Sequence, residues 1–196
     1  MGEKYNPVEN TGIFTDTRDG KNYKTVTIGR QTVMAENMAY KVKEGCWALD
    51  NNDKNVAKYG YLYDWDTARK VAKGVKGWHL PSDKEWRMLV NYLGAGNDAY
   101  HKMKEQINSQ IGGETNKSGF NALPVGFYSP VLPFGTFGKH ANFWSRTRHG
   151  TENACKLIID FKKGKAECSF EPWSYGFSVR LIKNHLFNHL FGNTYL

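Results

Sequence analysis

The segment Gly77-Trp78-His79-Leu80-Pro81-Ser82-Asp83-Lys84-Glu85-Trp86 restricts the fold more than any other stretch of the chain. Ser82 is an N-cap residue with Glu85 three positions later, so each side chain can satisfy a backbone N–H of the first helical turn. Trp86, Leu89, Val90 and Leu93 then recur at helical spacing, and Gly94 closes the helix. A helix with one apolar stripe needs a surface to bury it. The rest of the chain has to supply that surface.

Upstream, Asp16-Thr17-Arg18-Asp19-Gly20-Lys21 reads as a tight turn. Tyr23, Thr25 and Thr27 alternate with Lys24, Val26 and Ile28, Gly29-Arg30 turns the chain, and Gln31 to Ala35 returns it, a β-hairpin. Residues 1 to 12 read as a polar arm and 40 to 58 as a polar loop. Tyr59 to Tyr63 leads into a helix over Asp64 to Ala72, with Trp65, Ala68 and Ala72 on one face. The polar stretch from 95 to 118 holds a short helix around Tyr100 to Ile107. Beyond Gly119, five apolar stretches broken by glycine and proline are expected as strands joined by long loops: Phe120–Phe127, Ala141–Trp144, Ala154–Phe161, Ala166–Phe170 and Phe177–Ile182. The order hairpin, helix, helix, β-rich half makes an α+β domain without internal repeats.

Its 196 residues fit one domain with short extensions, and 20 glycines with 28 aromatic residues suit a loop-rich fold of short strands. The formal charge of +8 does not point to nucleic acid. The lysines are scattered, the densest group (Lys162, Lys163, Lys165) reads as a hairpin turn, and no binding motif is present, so the charge implies solubility and a bias toward anionic surfaces. Cys46, Cys155 and Cys168 lack zinc-site spacing. Cys155 and Cys168 flank the expected hairpin without standing directly opposite, which leaves a disulfide open without implying one. Met1 to Tyr5 has no apolar signal region, and no 18-residue apolar span follows.

Taken together, Phe14-Thr15-Asp16, Asp19 to Val26 with Ile28-Gly29, Gln31 to Met38, Tyr59 to Trp65, Gly77 to Ser82 with Glu85-Trp86, Ser118 to Pro124, Phe143-Trp144-Ser145 and Gly176 to Arg180 resemble the Fibrobacter succinogenes major paralogous domain, a family abundant in Bacteroidetes surface proteins. The likeness spans about residues 13 to 184. The helix signature and the closing Gly-Phe-x-Val-Arg are also similar to the formylglycine-generating-enzyme branch of the C-type lectin fold. The resemblance implies a C-type-lectin-like fold: two helices packed on twisted, mostly antiparallel sheets, with long loops on one side. It further implies kinship with the variable proteins of diversity-generating retroelements, whose diversified positions would here fall between Arg146 and Tyr175. Val33 stands where the family usually has tryptophan, Leu181 where cysteine is frequent, and twelve residues after Asn184 are extra. The organisation expected is an arm (1–12), the domain (13–184) and a tail (185–196). In that tail Leu186, Phe187, Leu190 and Phe191 form an amphipathic face suited to docking or homo-oligomerisation. His185 and His189 lack a third metal ligand.

Binding is expected where loops meet a rigid scaffold. Arg146, Arg148 and His149 follow the Trp144 strand, and Phe170, Glu171, Trp173, Ser174 and Tyr175 form an aromatic loop closed by Gly176. Arg, Trp and Tyr supply much of interface energy, so Arg148, Trp173 and Tyr175 are expected to be exposed and close together, over a core containing Trp78, Trp86 and Trp144. Glu171-Pro172-Trp173 differs from the Glu-Pro-Asn calcium motif of true C-type lectins at the position that must supply an oxygen, so no calcium or other cofactor is expected. A structural cation on the Asp16/Asp19 turn stays open, although the turn chemistry there needs no metal. The enzyme alternative, formylglycine generation, needs a copper-bound cysteine pair. Cys155 and Cys168 match no such motif, and hydrolase, Walker and GxGxxG patterns are missing. The expectation is a non-catalytic recognition domain, extracellular at a cell or virion surface, binding a protein or glycan and not nucleic acid.

Overall fold

The computed structural model describes residues 11–104 and 116–184. The hairpin forms from strands β2 (Asn22–Ile28) and β3 (Gln31–Met34), with Val26 opposite Val33. Both valines are fully buried, and along the start of β2 exposed Asn22 and Lys24 alternate with buried Tyr23 and Thr25. A further strand, β1 (Thr11–Thr15), pairs with β2, so strand structure opens inside the segment read as an arm. Gly20 closes the intervening turn at φ +74°, its N–H donating to the Asp16 carbonyl at 2.8 Å.

The stretch read as a polar loop carries β4 (Cys46–Ala48) and a helical turn, α1 (Val56–Tyr59). After β5 (Tyr61–Tyr63) the chain forms α2 (Trp65–Lys73), β6 (Trp78–His79), α3 (Asp83–Tyr92) and α4 (Gly96–Met103). Asp64 caps α2 by accepting from the Thr67 N–H, and Ser82 with Glu85 makes the full capping box on α3. The described residues thus hold four helices rather than two. Helix α4 ends at Met103, earlier than the span expected around Tyr100 to Ile107, whose last three residues lie outside the described part, as do most of the arm and the tail with His185 and His189.

Strands β7 (His140–His149), β8 (Asn153–Asp160), β9 (Lys165–Pro172), β10 (Phe177–Ser178) and β11 (Ile182–Lys183) complete two sheets. One runs β1-β2-β3-β11-β6 and the other β4-β5-β10-β7-β8-β9, with β10–β7 the only parallel pair among these strands. Residues 120–127 are not the strand expected. They make isolated bridges only, because Asn121 and Gly126 adopt left-handed backbone. Their polar groups find other partners: the Asn142 side-chain amide donates to the Gly126 carbonyl at 3.0 Å, and the Arg180 guanidinium donates to the carbonyls of Phe120 and Asn121.

Two buried indoles tie helices to the sheet and a third ties two of its strands. Trp86 donates to the Trp144 carbonyl (3.1 Å), Trp144 to that of Tyr63 (2.7 Å) and Trp65 to that of Ser145 (2.7 Å). Each thereby satisfies its one polar atom inside the core. Trp78 departs from expectation: it is half-buried, tilted against Phe14 at 4.8 Å, because β6 lies at a sheet edge. Val33 and Leu181, at the two positions where the sequence leaves the family pattern, are both fully buried.

Candidate functional site

Strands β7, β8 and β9 form a meander in which Arg148, Ala154 and Glu171 stand opposite one another, and His149, Asn153 and Pro172 next to them. Arg146, Arg148 and His149 therefore lie on a strand, not in a loop. The β7–β8 ladder resumes past a bulge between Trp144 and Arg148, carrying the strand to His149. Phe170 and Glu171 likewise belong to β9, and only Trp173, Ser174 and Tyr175 lie in the following turn.

Strand alternation splits the expected site across the sheet. His149 stacks on Phe170 on one face, with centroids 3.8 Å apart. On the other, the Arg148 guanidinium sits 5.0 Å from the Trp173 ring, and Trp173 stacks on fully buried Trp65 at 5.0 Å. Backbone bonds fix that turn: Trp173 N–H donates to the Glu152 carbonyl and Trp65 N–H to the Trp173 carbonyl. Trp173 and Tyr175 are half-buried rather than exposed, since one covers Trp65 and the other stacks on Phe127 at 5.5 Å. Arg148 and Trp173 meet as expected, Tyr175 is held elsewhere, and Ser174 is exposed. Glu171 turns toward Lys156 at 3.3 Å.

Arg146 opens onto a groove of about 450 Å³ whose lining includes Arg69, Lys70 and Lys73 of α2 with Trp78, His79 and Leu80. The Arg69 guanidinium lies 4.5 Å from the Trp65 ring and that of Arg148 5.7 Å from it, so groove and aromatic stack are one continuous surface. The α2 cations escaped the sequence reading. Helical periodicity put Trp65, Ala68 and Ala72 on one face, but nothing local says that the other face of α2 looks across at Arg146.

Negative charge in the groove is tied up. Asp66 pairs with Arg69 (3.6 Å), and Glu85 accepts from His79 Nε2 (2.7 Å) with Arg146 at 3.8 Å. Burial works to raise the Glu85 pKa, but hydrogen bonds from His79 and from the Ser82 backbone and hydroxyl outweigh it and hold the carboxyl at about 2. The Glu85 hydrogen bond in turn raises His79 against the opposing effect of burial, and the Asn184 Oδ1 beside Nδ1 adds to the rise. Both ring nitrogens face oxygens, which suits imidazolium.

Among the described residues no three His, Cys, Asp or Glu side chains group as a metal site. On the Asp16/Asp19 turn, Arg18 already binds both Asp16 oxygens, at 2.9 and 2.6 Å. Cys46, Cys155 and Cys168 are free thiols. Burial pushes the Cys155 thiol up and takes Cys168 to about 12. No described helix is long and apolar enough to cross a membrane.

A family model described as the Fibrobacter succinogenes major domain matches residues 19–183. The chain belongs to this family. No curated protein and no solved structure matches the chain.

In this Fibrobacter succinogenes major domain the blocks that carried the resemblance are physical neighbours. Phe143 of the Phe-Trp-Ser block pairs with Ser178 of the Gly-Phe-Ser-Val-Arg block in the parallel β7–β10 contact. Arg180, the last residue of that block, is fully buried between the rings of Phe120 (4.4 Å) and Phe143 (4.8 Å), with Nε donating to Asn37 Oδ1 at 2.8 Å. Burial pulls its pKa down to about 9, which leaves it charged at neutral pH. The conspicuous residues of the major domain's sequence thus build its interior, and its exposed cations and half-covered indoles line the candidate site.

Proposed function

We propose that this Fibrobacter succinogenes major domain is a non-catalytic recognition module of C-type-lectin-like architecture, displayed extracellularly on a bacterial cell or virion, that binds a protein or glycan bearing negative charge. The observation that carries the reading is the stack of Arg148 on Trp173 on buried Trp65, continuous through Arg69 with the groove at Arg146. Arginine and tryptophan held over a packed base supply interface energy at small entropic cost. The lectin-like architecture is supported by helices α2 and α3 beside two mostly antiparallel sheets and by the family match.

Retroelement diversification of the interval 146–175 fits only part of it. Arg146, Arg148, His149, Phe170 and Ser174 are exposed or nearly so, whereas Ala154, Lys156, Leu157 and Ile159 are buried. Formylglycine generation has less support, because the sequence around Cys155 and Cys168 matches no copper-binding cysteine motif.

The test is a panel of printed neutral and anionic glycans and purified surface proteins, probed with the whole chain and with an Arg146→Ala/Arg148→Ala variant. The parent is expected to be retained on anionic members and the variant lost from them. Retention on no member overturns the function, and equal retention of the variant overturns the site.

A further inference from the structure

A buried lysine outside the groove has an unusual set of neighbours. Lys156 lies in the middle of β8, among Ala154, Leu157 and Ile159, and its residue is only 5% exposed. Its Nζ donates to Oδ1 of Asn142 on β7 at 2.9 Å and lies 3.3 Å from Oε1 of Glu171 on β9. The Phe177 ring closes the space, its centroid 4.5 Å from Nζ. The register explains the meeting. Asn142 stands opposite Ile158 and Lys156 opposite Trp144, so the two are diagonal neighbours on one face, and Glu171 is diagonal to Lys156 from the far side. Asn142 is itself 2% exposed and cannot swing, since its Nδ2 donates to the Gly126 carbonyl at 3.0 Å.

We propose that Lys156 and Asn142 join spontaneously in an intramolecular isopeptide bond, with Glu171 as the proton carrier. Glu171 takes a proton from the Lys156 ammonium, leaving a neutral amine. The Nζ lone pair attacks Cγ of Asn142, the Glu171 carboxylic acid returns the proton to the departing amide nitrogen as the tetrahedral adduct collapses, and the regenerated carboxylate passes the surplus Nζ proton to the released ammonia. The Nζ–Cγ bond forms, the Cγ–Nδ2 bond breaks, and ammonia leaves, carrying away as ammonium the charge Lys156 began with. No electrons are exchanged and no co-reactant is needed. Amide aminolysis is slow in water, and what accelerates it here is the fixed approach of amine to amide in a site largely closed to water. Burial also pulls the Lys156 ammonium below its ordinary pKa, against the opposing pull of Glu171, which favours the nucleophilic form. The Glu171 side chain is 36% exposed, giving ammonia a way out. The product ties the first two strands of the meander that carries Arg146 and Arg148.

Intact-mass spectrometry of the folded, then denatured and reduced, whole chain tests this. The parent is expected to be lighter than its sequence by one ammonia, and proteolysis should release a branched peptide joining the Asn142 and Lys156 segments. Succinimide formation at an asparagine loses the same mass but gives no branched peptide and persists in Lys156→Met. Glu171→Gln, close in shape, should slow cross-linking by on the order of a hundredfold or more, with circular dichroism confirming that it folds. A parent chain of unmodified mass after prolonged incubation in the folded state overturns the proposal and leaves Lys156 in an ordinary buried ion pair. Cross-linking of Glu171→Gln at the parental rate overturns the role given to Glu171.

Discussion

His79 and Glu85 show how one contact makes a whole domain sensitive to pH. The folded state raises the His79 pKa above its ordinary 6.5 and lowers that of Glu85 from 4.5 to about 2. A raised histidine adds stability that is complete below its unfolded pKa and is lost as pH climbs through the folded one. A lowered carboxylate adds stability that is complete above its unfolded pKa and is lost as pH falls through the folded one. The pair therefore contributes most between about pH 4.5 and 6.5 and fades on the alkaline side first. Urea unfolding at about pH 5.5 and about pH 8.5 should show the parent losing stability at the higher pH, and His79→Ala should lose much less between the two. An identical decrement in the variant would assign it to other groups. The tryptophans separate in the same manner. Trp144→Ala removes a fully buried indole and should cost about 3–5 kcal/mol, whereas Trp78→Ala, at a sheet edge, should cost clearly less. Equal chemical-denaturation midpoints for the two variants would contradict the burial described here.

At the scale of elements, helix α3 was the most legible part of the chain because its instructions are local. Ser82, Glu85 and the stripe from Trp86 to Leu93 lie within twelve residues and do not depend on the remainder of the fold. Ser82→Ala should cost about 1 kcal/mol, measured as a shift of the urea midpoint with unchanged slope; no shift would mean that the capping box contributes nothing net. The hairpin β2–β3 was legible for the same reason, since the Gly29-Arg30 turn lies between two strands adjacent in sequence. Segment 120–127 was not, although it is as apolar as a strand. The side chains that take up its carbonyls at Phe120, Asn121 and Gly126 are Arg180 and Asn142, later in the chain, and no local pattern announces them. The candidate site failed along the same line. Nearness of Arg148 and Trp173 followed from the hairpin at Lys163-Gly164, but the half-burial of Trp173 depended on Trp65, far earlier in the chain, and the groove on α2. Whether β9 turned Glu171 outward or toward Lys156 was a question of strand register. Composition could not settle it.

Over the whole molecule, the last described residues hold the two sheets together. Residues 177–183 contribute β10 to one sheet, between β5 and β7, and β11 to the other, between β3 and β6. Arg180 sits at the crossover, and its three nitrogens reach three separate acceptors: Asn37 Oδ1, the Phe120 carbonyl and the Asn121 carbonyl. A lysine ammonium is a point donor and cannot span that fork. Each buried acceptor left without a donor costs roughly 1–3 kcal/mol. Arg180→Lys, which can serve one of the three, should therefore lose about 2 kcal/mol or more by that sum, and Arg180→Met, which leaves all three orphaned, about 3 kcal/mol or more. Because the segment belongs to both sheets, loosening it should lower them together. Near-ultraviolet dichroism, to which buried Trp65, Trp86 and Trp144 contribute beside the β7 sheet, and far-ultraviolet dichroism, which follows both sheets, should shift to the same new midpoint in each variant. Separated transitions would mean that the sheets fold as independent units and that Arg180 anchors only one of them. An unchanged midpoint in Arg180→Lys would mean that the buried guanidinium is not the lock its geometry describes.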